Sequence, residues 1–89
     1  MGFDLSGRTA VITGGTKGIG LGIADAFVKA GARVFICGRS KSDVHSAVSN
    51  LSEHGEAAGE SCDVRNEDQV RQMLEQVVRV FGGVDILVN

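Results

Sequence analysis

The stretch Thr13-Gly14-Gly15-Thr16-Lys17-Gly18-Ile19-Gly20 constrains the fold of this chain more than any other. It stands between the apolar run Thr9-Ala10-Val11-Ile12 and the segment Leu21-Gly22-Ile23-Ala24-Asp25-Ala26-Phe27-Val28, which reads as a helix. A strand, a glycine-rich turn and a helix in that order form a phosphate cradle. Glycines let the backbone take positive φ and let a ligand come close. The helix start offers unpaired N–H groups and the positive end of its dipole. The stretch therefore points to a dinucleotide site, provided the rest of the chain builds a parallel sheet around it.

The remaining pattern does so. Residues 1–8 are a short lead-in, and residues 9–14 form a first strand, apolar on both faces as a central parallel strand is. A first helix is expected from about Gly18 to Ala30, with Ile19, Ile23, Phe27 and Ala30 as its stripe, Ala24 and Val28 beside them, and Gly31 as its stop. Arg33-Val34-Phe35-Ile36-Cys37 is a second continuous apolar strand. Ser40 with Asp43, or Ser42 alone, can cap a second helix, whose stripe is Val44, Ala47, Val48 and Leu51. Strand three, Ala57 to Cys62, carries Glu56, Gly59 and Glu60 in or beside it and reads as an edge. Asn66 with Gln69 resembles a capping box for a third helix, with Val70, Met73, Leu74, Val77, Val78 and Phe81 as its stripe. Gly82-Gly83 stop it, and Val84 to Val88 form strand four.

Strands alternating with helices at this spacing imply an α/β fold with right-handed crossovers. If the sheet grows outward from strand one to strand three and then reverses, its order is 3-2-1-4. Ligands bind where the order reverses, beyond the carboxyl ends of the strands. The glycine turn leaves strand one at that place, and Asn89 ends strand four beside it. Helices one and two should then cover one face of the sheet and helix three part of the other. Strand four is left as an open edge, apolar on both sides.

Composition narrows the function. The 89 residues suffice for one small domain, and a net charge of −2 gives no support to a nucleic-acid or membrane-surface role. No apolar run approaches the ~20 residues of a membrane helix. Met1-Gly2-Phe3-Asp4 has no basic region before an apolar stretch, so no secretory signal is expected. Met1-Gly2 with Ser6 touches the myristoylation pattern, a short and common one. Cys37 and Cys62 lie at buried strand positions without metal-ligand spacing, and read as reduced core thiols of a cytoplasmic protein; a disulfide between neighbouring strands is the alternative. His45 and His54 fall off the apolar stripe and have no partner at ligand spacing, so no metal site is expected. The triplet Asn50-Leu51-Ser52 sits on a predicted helix and is discounted as a glycosylation site.

Taken together, these motifs resemble the N-terminal part of the short-chain dehydrogenase/reductase family. The marks are Thr13-Gly14-x-x-x-Gly18-x-Gly20, then Gly38-Arg39 after strand two, Asp63-Val64 after strand three, and Asp85-Ile86-Leu87-Val88-Asn89. The resemblance covers essentially the whole chain, residues 1–89 forming one cofactor-binding half of a Rossmann-like domain. It implies that Gly14, Gly18 and Gly20 shape the turn over the pyrophosphate, with contacts from Thr16 and Ile19. It implies that Asp63 and Val64 flank the adenine, and that Asn89 borders the cofactor at the switch point.

Charge selects the cofactor within that resemblance. Members that bind NAD place an acid near the end of strand two, which accepts the ribose hydroxyls and repels a further phosphate. Here Gly38, Arg39 and Ser40 stand there, and Lys17 sits in the glycine turn. Two cations converging on one dianion favour NADP(H). The family's catalytic residues, an Asn after strand four, a Ser after strand five and a Tyr-x-x-x-Lys pair, match nothing up to Asn89, and the sequence has no Tyr. No catalytic residue is therefore expected within these residues. The resemblance implies a carbonyl reductase of a ketone or 3-oxoacyl thioester, homo-oligomeric when intact, with this chain as its cofactor-binding half. The alternative is a non-catalytic dinucleotide-binding module or pseudoenzyme.

Overall fold

The computed structural model describes residues 4–89. The Met1-Gly2 acylation pattern lies outside the described residues. The elements run β1 (Thr9–Thr13), α1 (Gly18–Lys29), β2 (Arg33–Gly38), α2 (Lys41–Leu51), β3 (Ala57–Ser61), α3 (Glu67–Phe81) and β4 (Ile86–Val88). They build a four-stranded parallel sheet in the order β3-β2-β1-β4. The reversal falls between β1 and β4, as the crossover pattern predicts.

The pleat divides the core into two layers. Ile12, Val34 and Ile36 point to the face covered by α1 and α2, where they meet Ala24, Val28, Val44, Ala47 and Leu51. Val11, Phe35 and Cys37 point the other way and meet Met73 and Val77 of α3, with Cys62. Alternate residues of one strand thus feed opposite layers, which is why both central strands read as unbroken apolar runs. Phe35 and Phe81 close the α3 layer edge to face, with ring centroids 6.5 Å apart.

Helix boundaries follow the expected chemistry. The Ser40 hydroxyl accepts from the Asp43 N–H at the start of α2, and the Asn66 side chain accepts from the Gln69 N–H at the start of α3. Helix α3 ends on Gly82, whose φ of 89° is the left-handed conformation that closes a helix.

Four details depart from the sequence reading. The inner line of α1 runs through Ala24 and Val28, while Ile19 is 85% exposed, because it belongs to the first turn, which projects past the sheet. On α3, Val78 is exposed. A step of ~100° per residue carries it off the line of Met73 and Val77. Cys62 lies one residue beyond β3, although it is buried as expected. Strand β4 begins at Ile86 rather than Val84, because Asp85 is engaged otherwise. Its N–H donates to the Thr9 carbonyl and its carboxylate accepts from the Thr9 N–H, both at 2.9 Å.

Candidate cofactor site

The site forms where the loops after β1, β2 and β3 leave the same edge of the sheet. The first loop turns sharply: Gly14 and Gly18 have φ of 67° and 56°, a region that side chains disfavour. The Gly14 N–H donates to the Cys37 carbonyl at 3.0 Å, which ties the turn to the end of β2. Gly20 is required for another reason. A Cβ there would run into the Gly14 carbonyl oxygen, so only glycine lets α1 start this close to the turn. Gly38 makes a looser approach, since its Cβ would stand 3.0 Å from the Thr16 methyl, a side-chain contact. The glycine turn and the loop after β2 are therefore packed against each other.

Beside them lies a cleft of about 430 Å³ lined by Thr13, Gly14, Gly38, Arg39, Asp63 and Val64, with Cys37, Cys62 and Arg65. Five of the expected residues thus share one cavity. Thr16 and Lys17 occupy its shoulder, through the Thr16–Gly38 contact and an ion pair between Lys17 Nζ and Asp43 at 3.2 Å. Gly18, Ile19 and Gly20 form the start of α1 and do not line the cleft. Ser40 also stands outside it, its hydroxyl serving as the α2 cap. Asn89 lies on the far side, where its Oδ1 accepts from the Thr13 hydroxyl at 3.3 Å.

Charge at the cleft is organised by Asp63. Arg65 donates to it through Nε, a terminal nitrogen and its backbone N–H, each at 3.0 Å. Those hydrogen bonds from Arg65, with a smaller contribution from the nearby Arg39 cation, hold the Asp63 carboxyl down at about 2. Behind it, burial pushes the Cys37 thiol up to about 11, helped by Cys62 beside it. Both cysteines are free and buried. They form part of the cleft's floor as neutral, apolar groups. Sequence reasoning missed Arg65; the signal for it is its i, i+2 spacing from Asp63 in a tight turn. It missed the cysteines as lining because strand register, not local sequence, brings Cys62 beside the end of β2.

These residues fit a dinucleotide. The unpaired N–H groups of the α1 start suit a diphosphate. Val64 and Ile19 are large apolar side chains left 53% and 85% exposed at the two margins of the site, where a ligand's flat or apolar parts would cover them. Arg39 forms no ion pair among the described residues and is open to an anion. His45 and His54 are exposed and lie elsewhere. Among the described residues, no group of three His, Cys, Asp or Glu side chains gathers as a metal site would.

Comparison with known proteins agrees with this geometry. The family model of the short chain dehydrogenases matches residues 8–89. A 3-oxoacyl-acyl-carrier-protein reductase of rhamnolipid biosynthesis from Pseudomonas aeruginosa is 38% identical over 98% of this chain, which covers 34% of that protein. The L-sorbose reductase of Gluconobacter frateurii, solved with NADPH and L-sorbose, superposes with a TM-score of 0.94 at 40% identity, over 100% of this chain and 35% of the other. The Pseudomonas aeruginosa RhlG structure, an active-site complex with NADP, superposes with a TM-score of 0.90 at 38% identity, over 98% of this chain and 35% of the other. The chain thus spans about a third of the length of these relatives. With its strand order, its glycine turn and its matched residues 8–89, the chain belongs to the short-chain dehydrogenase family.

Proposed function

We propose that these residues hold NADP(H) for an oxidoreductase that reduces a carbonyl, of the ketone or 3-oxoacyl thioester class. One observation carries the cofactor choice: β2 ends in Gly38 and is followed by Arg39, with Lys17 across the packed Thr16–Gly38 contact. No acid stands where an NAD site needs one to accept the ribose hydroxyls. The relatives solved with NADP or NADPH support the same choice. In this reading Gly14, Gly18 and Gly20 admit the diphosphate, Asp63 and Val64 border the adenine, and Asn89 faces the nicotinamide side. The nicotinamide, when bound, supplies the hydride.

Up to Asn89 the sequence matches neither the Ser nor the Tyr-x-x-x-Lys pair that the resemblance implies for catalysis, and it holds no Tyr. These residues bind and orient, and they do not reduce substrate alone. A cytoplasmic, homo-oligomeric enzyme is the setting we propose; no helix among the described residues is long and apolar enough to cross a membrane.

The test is Arg39→Asp. Loss of a charge-assisted contact should weaken NADPH binding by roughly 10- to 100-fold and leave NADH binding within about threefold. Titration by nicotinamide fluorescence reads both. Equal losses for the two cofactors would refute the assignment of Arg39 to the 2′-phosphate.

A further inference from the structure

Of the two cations assigned to the cofactor phosphate, one is already engaged. Arg39 is free of ion pairs among the described residues, whereas Lys17 Nζ lies 3.2 Å from the Asp43 carboxylate. The pair is built into the architecture of the site. Lys17 is the last residue before α1, in extended backbone, so its side chain leaves the turn towards α2. Ser40 caps α2 through the Asp43 N–H, which fixes Asp43 in the first turn of that helix. The packing of Thr16 on Gly38 holds the two loops together. A carboxylate is thereby stationed at the rim where the proposed 2′-phosphate would lie.

We infer that Asp43 is a specificity-determining residue, whose carboxylate competes with an adenosine 2′-phosphate for the Lys17 ammonium and so lowers the preference for NADP(H) over NAD(H). The inference rests on the proposed placement of the 2′-phosphate. A phosphate dianion draws Lys17 more strongly than a carboxylate does, but its arrival leaves Asp43 without its cation and beside a second anion. A ligand without the 2′-phosphate leaves the Lys17–Asp43 pair in place and incurs neither penalty. Lys17 is therefore a weaker selector than a free lysine at that position, and Arg39 carries most of the discrimination. Lys17 is largely exposed and Asp43 partly so, which keeps the effect modest.

Asp43 also has a purely structural use, since an acid in the first turn of a helix complements its dipole. That use predicts a stability change without ligand selectivity, which separates the two roles. Asp43→Asn keeps the backbone N–H that Ser40 caps, and Asp43→Glu keeps the charge.

The experiment is calorimetric titration of the full-length protein with 2′,5′-ADP and with 5′-AMP, at low ionic strength. Wild type, Asp43→Asn, Asp43→Glu, Lys17→Gln and the Lys17→Gln/Asp43→Asn double variant are compared, with thermal unfolding recorded for each. Asp43→Asn should bind 2′,5′-ADP about threefold more tightly with 5′-AMP unchanged. Asp43→Glu should stay near wild type. In the Lys17→Gln background, most of the gain should vanish, because the competition passes through Lys17. Unchanged or weaker 2′,5′-ADP binding by Asp43→Asn, in a protein that still prefers 2′,5′-ADP, overturns the role of Asp43 alone. A wild type that binds both ligands equally overturns the NADP(H) reading, and the inference with it.

Discussion

At the scale of single residues, the glycines of the first turn do different work, and the difference is measurable. Gly20 faces the backbone of Gly14, which cannot yield as a flexible side chain would. Gly22, two positions on in the same helix, faces open space and needs no special φ. Gly20→Ala should therefore cost about 1–3 kcal/mol through overpacking against backbone. Gly22→Ala should stabilise by about 1 kcal/mol, as alanine replaces glycine in a helix interior. Chemical denaturation of the two variants tests the pair, and equal effects would remove the close approach as the reason for Gly20. Asp63 gives a pH prediction. Its carboxyl stands at about 2 in the fold, against an ordinary value of 3.8, because Arg65 bonds to the ionised form. The folded value is the lower one, so this stabilisation is complete above about pH 4 and is lost as pH falls towards 2. Arg65→Ala should raise the Asp63 titration midpoint towards its ordinary value, read by carboxyl-carbon NMR. A midpoint that stays near 2 would mean that Arg65 is not its cause.

Elements were more legible in the sequence than the contacts between them. Both central strands announce themselves because both faces are buried, and the caps Ser40 and Asn66 lie where their side chains satisfy the first helical N–H groups. The family resemblance, carried by the glycine spacing and the residues after each strand, marks Gly14, Gly38, Arg39, Asp63 and Val64, and the fold brings these five into one cleft. Partners set by tertiary packing were not legible. Nothing local shows that Lys17 reaches Asp43, that Arg65 turns back on Asp63, or that Cys62 closes the cleft floor. Strand β4 illustrates the same limit. The run Val84 to Val88 reads as one strand, yet Asp85 binds both the N–H and the carbonyl of Thr9 and only Ile86–Val88 join the ladder. That clamp fixes β4 beside β1 and so sets Asn89 next to Thr13. Asp85→Ala should cost about 1.5–3 kcal/mol, the range for a hydrogen bond to a charged group. Hydrogen exchange should show β4 amides losing protection before those of β1 and β2. Uniform loss across the sheet would mean the clamp does not act locally.

For the molecule as a whole, the uneven covering of the sheet is the dominant feature. Among the described residues, the α1/α2 layer gathers nine buried residues from two strands, two helices and the turn at Ala32, whereas the α3 layer gathers six. Strand β4 has, among the described residues, a neighbour on one side only, so one row of its backbone groups faces away from the sheet. Leu87 on that strand is 56% exposed, and Val78 and Val80 of α3 are also exposed large apolar groups. An exposed apolar strand edge is a template for pairing with another chain. A polypeptide limited to these 89 residues should therefore self-associate, with a mass by light scattering that exceeds 9.3 kDa and rises with concentration. Leu87→Lys places a charge on the edge and should shift the population towards monomer. Lysine at Glu56, an exposed position just before the opposite edge strand, should leave association unchanged. Because Leu87 is exposed, neither substitution disturbs the buried layers, and far-UV circular dichroism should match in all three proteins. A monomer at every concentration would show that the β4 edge is protected, and the argument from uneven covering would then fail.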